Sequence, residues 1–136
     1  MSRRVSSPAP ALTLLAIVLA GCQNGVTGPS LTATVQNVSL QPTVVGLDGG
    51  QNVCCCHVRG QVTNSSSVTV HAELYFPAKA TNGDALGTAR DIQRDLTAGA
   101  SRSFLAVGIS AACKDVNLSQ ILTDMLVRVK GIWEPE

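Results

Sequence analysis

The strongest constraint on this chain is a hydrophobic period of two. From residue 31 to 133, apolar side chains recur at every second position in short runs, each closed by Gly, Pro, Asn or Ser. Successive side chains of an extended strand point to opposite faces, so a sequence of this kind buries one face of a sheet and offers no helical stripe. Leu31, Ala33 and Val35 share a face, and the phase then slips to Val38 and Leu40, which predicts a bulge near Asn37. Pro42 ends that strand. After a loop through Gly46, Asp48, Gly49 and Gly50, the spacing predicts a second strand over 53–63. Its faces are Cys54, Cys56, Val58, Gly60 and Val62 against Cys55, His57, Arg59 and Gln61.

A third strand over 68–76 turns Val68, Val70, Ala72, Leu74 and Phe76 inward and Thr69, His71, Glu73 and Tyr75 outward, with Pro77 closing it. Asn82, Gly83 and Asp84 form a turn signal before a weaker run over 86–92. The segment 96–103, with Gly99 at its centre, reads as a tight turn into a strand over 104–109. One stretch breaks the pattern: Asn117 is a capping residue before Leu118, Ile121, Leu122 and Met125, which recur at helical spacing. A last strand over 125–133 sets Met125, Val127 and Val129 against Arg128 and Lys130, and Trp133 reads as a core plug. The fold class is therefore all-β: a small antiparallel sandwich of about seven strands with one short helix near 117–124.

Ahead of the alternating region, the chain opens with Arg3 and Arg4 and enters an apolar run over 11–20, ending in Leu19, Ala20, Gly21 and Cys22. A charged start, a short apolar core and small residues at its end have the form of a secretory leader. The run is about half the ~20 apolar residues a membrane span requires. The last four residues resemble the lipobox of bacterial lipoproteins. A thiolate is a far better nucleophile than a hydroxyl, which suits Cys22 to take a diacylglyceryl group as a thioether. Ala20 and Gly21 leave a peptidase room at the preceding bond. The plainer alternative is an ordinary leader cut one residue later.

The lipoprotein resemblance implies a leader over 1–21, a lipidated tether over 22–30 and one β-sandwich domain over 31–136, attached to a membrane through acyl chains on Cys22. Two acyl chains, at about 0.8 kcal/mol per buried methylene, suffice for stable anchoring. Fully extended, the breaker-rich tether reaches roughly 25–30 Å. In lipoproteins of this kind a residue other than Asp after the lipidated cysteine favours export to the outer membrane, and Gln23 meets that condition. The expected location is the cell envelope, on the periplasmic side of the outer membrane where an organism has two.

Losing Arg3 and Arg4 with the leader turns the formal charge from +1 to −1, since ten Lys and Arg face nine Asp and Glu in the full chain. No basic face of the kind that neutralises phosphates is evident, which argues against nucleic acid. With aromatics at 3%, the platforms that stack bases or sugars are also missing.

Within the domain, Val58, Gly60, Val62 and Asn64, then Leu74 and Tyr75, then Gly83, Leu86 and Gly87, and finally Leu96, Gly99 and Phe104 resemble the spaced pattern of the bacterial FxLYD domain. That family is a small immunoglobulin-like sandwich of secreted and lipid-anchored proteins. Ala72 and Phe76 depart from its naming motif. The resemblance covers about residues 53–109 and rests on structural positions, so it implies a fold and an interaction or structural role without an active site.

The chemistry to weigh lies in Cys54, Cys55, Cys56, His57 and Cys113. With Cys22 acylated, four thiols remain, an even number in an oxidising compartment. Complete pairing forces one bond inside the triplet. Neighbouring alpha carbons are about 3.8 Å apart, short of the usual disulfide span of 4.4–6.8 Å, and a Cys54–Cys56 bond lies near its long end. The main expectation is one bond from Cys54 or Cys56 to Cys113, closing a loop of about 60 residues and contributing about 4 kcal/mol. The other two thiols have four open fates: a vicinal pair, burial as apolar groups, bonding to another chain, or metal ligation. Cys54, Cys56 and Cys113 are the candidate metal ligands, although no Cys-x-x-Cys spacing is present.

The remaining candidates read as structural. His57 and His71 fall on outward faces, and no Ser, His and Asp spacing suggests a catalytic triad. Asp91, Asp95, Asp115 and Asp124 are scattered through turns and segment ends. Asn37, Asn64 and Asn117 each open a glycosylation triplet, a modification not made by default on a bacterial lipoprotein. The expectation is a non-enzymatic, cofactor-free envelope module with a protein partner. A thiol-dependent metal-binding or redox lipoprotein is the alternative.

Overall fold

The structure, a computed structural model, describes residues 30–43 and 50–135; the leader, Cys22 and most of the tether lie outside the described residues. Six strands form among them: β1 (Ala33–Gln41), β2 (His57–Asn64), β3 (Val70–Lys79), β4 (Ala85–Leu96), β5 (Ser101–Ile109) and β6 (Leu126–Gly131). A single helix, α1 (Leu118–Asp124), follows a 3-10 turn at Cys113–Asp115. All strand pairs are antiparallel, and the sheet order is β1-β2-β5-β4-β3-β6. The sequence suggested about seven strands; six are found here, each overlapping one of the alternating runs though several differ in their bounds, and the helix falls at the capped segment near 117–124.

This sheet is strongly curled. Six strands at about 4.8 Å spacing would put the two edges of a flat sheet some 24 Å apart. Instead β1 and β6, the opposite edges, approach within 8 Å between alpha carbons. The curl closes the inner faces on Val58, Val62, Val70, Leu74, Phe76, Leu96 and Phe104, all buried. Phe76 on β3 and Phe104 on β5 stack across the interior with ring centroids 5.3 Å apart, an arrangement stabilising beyond area burial alone. Helix α1 packs against β3 and β1 and buries Ile121 completely. Its start is set by Asn117, whose side chain accepts from the Gln120 amide at 3.3 Å.

The fold turns its corner where β4 meets β5. Only Gly87↔Ile109 and Arg90↔Val107 pair there, on either side of a register shift. Gly87 and Gly108 both have positive φ, and a Cβ on Gly108 would collide with the Thr88 carbonyl oxygen. The chains can therefore cross this closely only with glycine at that point.

At the other irregularity the register of β1 against β2 shifts between Gln36 and Ser39, and Asn37 sits at φ 59, a left-handed conformation that Asn tolerates better than most. This is the bulge that the phase slip from Val35 to Val38 called for, and β1 stops one residue before Pro42.

Several expectations need correction. The second strand begins at His57, so Cys54 and Cys55 lie in the segment before it and do not share its faces. Pro77 does not end β3, which runs on to Lys79; β6 pairs with β3 only as far as Tyr75, so the missing amide of Pro77 falls beyond that ladder. β4 extends well past the weak run over 86–92. His71 and Glu73 are buried, not solvated, because strands cover both sides of β3. Trp133 is no core plug: it is 62% exposed, with its ring lying over Gly131.

Candidate functional site

The hydrogen bonds give the molecule two poles. At one, Thr32 pairs with Ser65 and Ser66, and Asn64 with Gly99 and Ala100, beside Gly131 at the end of β6. The chain enters the domain here. Asn64, fully buried, holds this pole together: its side-chain amide donates to the Val68 and Leu96 carbonyls at 2.8 Å each, and its oxygen accepts from the Ser66 amide at 2.8 Å. An Asn so completely engaged is structural, and it is closed to glycosylation.

The opposite pole carries the cysteines. Cys56 and Cys113 form a disulfide, with alpha carbons 4.7 Å apart and a sequence separation of 57. Both are buried in the core cluster, at 0% and 4% exposure. The bond fastens the entry to β2 onto the 3-10 turn after β5. Backbone bonds run beside it, from the Cys56 amide to the Ala111 carbonyl at 2.8 Å and from the Lys114 amide to the Gln51 carbonyl at 3.1 Å.

Cys54 and Cys55 are joined to each other. Cys54 is exposed and Cys55 half-buried, in contrast to the neighbouring bond. Thr43 donates through its hydroxyl to the Cys54 carbonyl at 3.4 Å, which places the pair near an open depression of about 440 Å³. His57, Arg59, Gln41 and Leu105 contribute to its walls. The sulfurs of Cys54, Cys56 and Cys113, considered above as a metal set, are thus divided between two disulfides. Among the described residues, no three His, Cys, Asp or Glu side chains group so as to hold a metal ion.

The other candidates stay apart. His57 lines the depression, whereas His71 accepts from the Asp95 amide at 3.1 Å near the opposite pole. Asp91 takes bonds from Gln93 and the Ile92 amide, Asp115 pairs with Lys114 at 2.9 Å, and Asp124 accepts from Gln120 at 2.9 Å and faces Lys79 at 3.8 Å. These are local ties and not a carboxylate pair.

One polar cluster escaped the sequence reading. Glu73, on the outer face of β3, receives the Tyr75 hydroxyl at 3.0 Å and lies 3.3 Å from Lys130 and 3.9 Å from Arg128 on β6. Burial alone would raise its pKa. The bonds from Tyr75 and Lys130, with the charges of Lys130 and Arg128, outweigh that and hold the carboxyl below its ordinary value. The signal lay in the alternation of Glu73 with Tyr75 and of Arg128 with Lys130, but it becomes readable only with the β3–β6 register.

No protein-family model matches this chain, and no curated protein does. Among solved structures, the chain is similar to the beta-D-glucoside glucohydrolase of Trichoderma reesei, with 14% identity over 83% of this chain and a TM-score of 0.36. The matched region spans 22% of that enzyme, and likeness at this level carries no argument about fold or activity.

Proposed function

We propose that this protein is a lipid-anchored component of the bacterial cell envelope, acting as a non-enzymatic interaction or structural module. Acyl chains on Cys22 hold it to the membrane, the outer membrane facing the periplasm where two are present, and the domain is an immunoglobulin-like sandwich of the FxLYD kind that meets a protein partner. The observation that carries this reading is the run Leu19, Ala20, Gly21, Cys22 behind a charged start and a short apolar core.

The geometry of the domain supports it. The tether leads into the pole held by Asn64, and the strands, at about 3.3 Å per residue, put the cysteine pole roughly 30 Å further out. An anchored chain therefore presents the depression and the exposed Cys54–Cys55 disulfide to partners, while the Cys56–Cys113 bond stays buried behind them. The FxLYD positions also have structural work: Val58, Val62, Leu74, Leu96 and Phe104 are buried, and Gly83, Gly87 and Gly99 take positive φ. Expression of the full chain and of Cys22→Ser in a bacterial host, followed by detergent phase partitioning, tests the reading. The parent chain is expected in the detergent phase and the variant in the aqueous phase; a variant that stays acylated in the detergent phase overturns the assignment.

A further inference from the structure

We propose that the Cys54–Cys55 disulfide is a thiol-exchange site, accepting two electrons from a dithiol while the adjacent Cys56–Cys113 bond stays closed. Two disulfides stand side by side in sequence with opposite surroundings. Cys56 and Cys113 are buried in the core, so an attacking thiolate reaches them only when the fold opens. Cys54 is exposed and Cys55 half-buried, on a segment outside any strand. Access to a disulfide sulfur is one of the factors that set the rate of exchange.

The two bonds also differ in what they do for the fold. A cross-link between residues 57 apart removes much of the freedom of the unfolded chain, whereas one between neighbours removes very little. Opening the vicinal bond therefore leaves the domain folded, and the segment remains fixed by the Cys56 amide on Ala111 and the Cys56–Cys113 bond next to it. A bond that is exposed, dispensable for folding and held in place by the buried disulfide beside it is free to cycle.

In the forward step, one thiolate of the dithiol attacks the Cys54 sulfur. The sulfur–sulfur bond breaks, a mixed disulfide forms at Cys54, and the Cys55 sulfur leaves as a thiolate that takes up a proton. The second thiol of the dithiol then attacks its own partner's sulfur in the mixed disulfide and releases Cys54, which is protonated in turn. The dithiol becomes a disulfide, and Cys54 and Cys55 become two thiols; two electrons and two protons are transferred. The site does not depend on membrane anchoring and stands or falls apart from it.

The test uses the full chain purified in detergent in its oxidised form. It is exposed to increasing dithiothreitol, quenched with N-ethylmaleimide and mapped by peptide mass spectrometry. Cys54 and Cys55 are expected to be labelled at least about a hundredfold faster than Cys56 and Cys113, with an unchanged circular dichroism spectrum, because reduction of the buried bond waits for opening of the fold. Cys54→Ser/Cys55→Ser is expected to lose the early-labelled pair and to melt within about 2 °C of the parent, as a surface change does. Labelling of all four cysteines together, or of Cys56 and Cys113 first, overturns the proposal. So does a large loss of melting temperature in the double serine variant, which would make the vicinal bond structural.

Discussion

Removing the buried disulfide tests the energetics of this fold most sharply. The variant is Cys56→Ala/Cys113→Ala; a Cys113→Ala change alone would free a buried Cys56 thiol beside Cys54 and Cys55 and invite reshuffling. A sequence separation of 57 gives a loop-closure contribution of about 4 kcal/mol at 25 °C. Losing the packing of two sulfurs in a core that leaves Cys56 and Cys113 0% and 4% exposed adds about 1 kcal/mol for each. The sum, about 5–6 kcal/mol, is comparable with the whole stability of many single domains. At the size of this domain it corresponds to a fall of roughly 20–30 °C in melting temperature. Urea titration followed by circular dichroism reads the loss directly, and the parent titrated after full reduction, which keeps both sulfurs in the core, isolates the loop-closure share of about 4 kcal/mol. A double variant within about 1 kcal/mol of the parent would refute the reasoning, because neither loop closure nor core packing could then be contributing as described.

Three further outcomes follow from the polar interior and the corner. Asn64→Ala leaves the Val68 and Leu96 carbonyls and the Ser66 amide without their partner, and should cost about 3 kcal/mol in urea titration; Asn64→Asp, which sets a carboxylate against two carbonyls, should be no better. Glu73 has a lowered pKa in the folded state, so its stabilisation is complete above the ordinary carboxylate range and is lost as pH falls through the folded value. Glu73→Gln should accordingly destabilise by about 1 kcal/mol at neutral pH and flatten the acid side of a stability-against-pH curve; an unchanged acid limb would remove the carboxylate from the account. Gly108→Ala, whose Cβ would meet the Thr88 carbonyl oxygen at a positive φ, should cost about 2 kcal/mol or more, measured by thermal melting, and a neutral effect would mean the β4–β5 crossing is looser than described.

What the sequence revealed, and what it hid, divides along physical lines. The bulge at Asn37 was legible because a slipped register moves every following side chain to the other face, so Val38 and Leu40 betray it. The helix was legible because its cap and its buried Ile121 are local features. β4 was legible only as the weak run over 86–92: Thr88, Arg90 and Arg94 alternate with Asp91 and Gln93, so its pattern is polar on both faces, and its full length to Leu96 is set by pairing with β3. The burial of His71 and Glu73 depends on β6, some 55 residues later in the chain, which no local reading reaches. Trp133 follows a strand that ends at Gly131, so the alternation no longer dictates its side. At the cysteines, counting sulfurs left Cys54 and Cys56 equal as partners for Cys113. In the structure Cys56 lies in the core with Val58, and its neighbours are left to each other.

One intact-mass measurement on the protein isolated from membranes, with and without reduction before alkylation, reads both the lipid anchor and the state of the cysteines. The expected species is a chain that begins at Cys22, carries acyl groups, takes up no alkylating agent as isolated and takes up four equivalents once reduced and unfolded. An unacylated chain that retains residues before Cys22, or begins after it, would contradict the account.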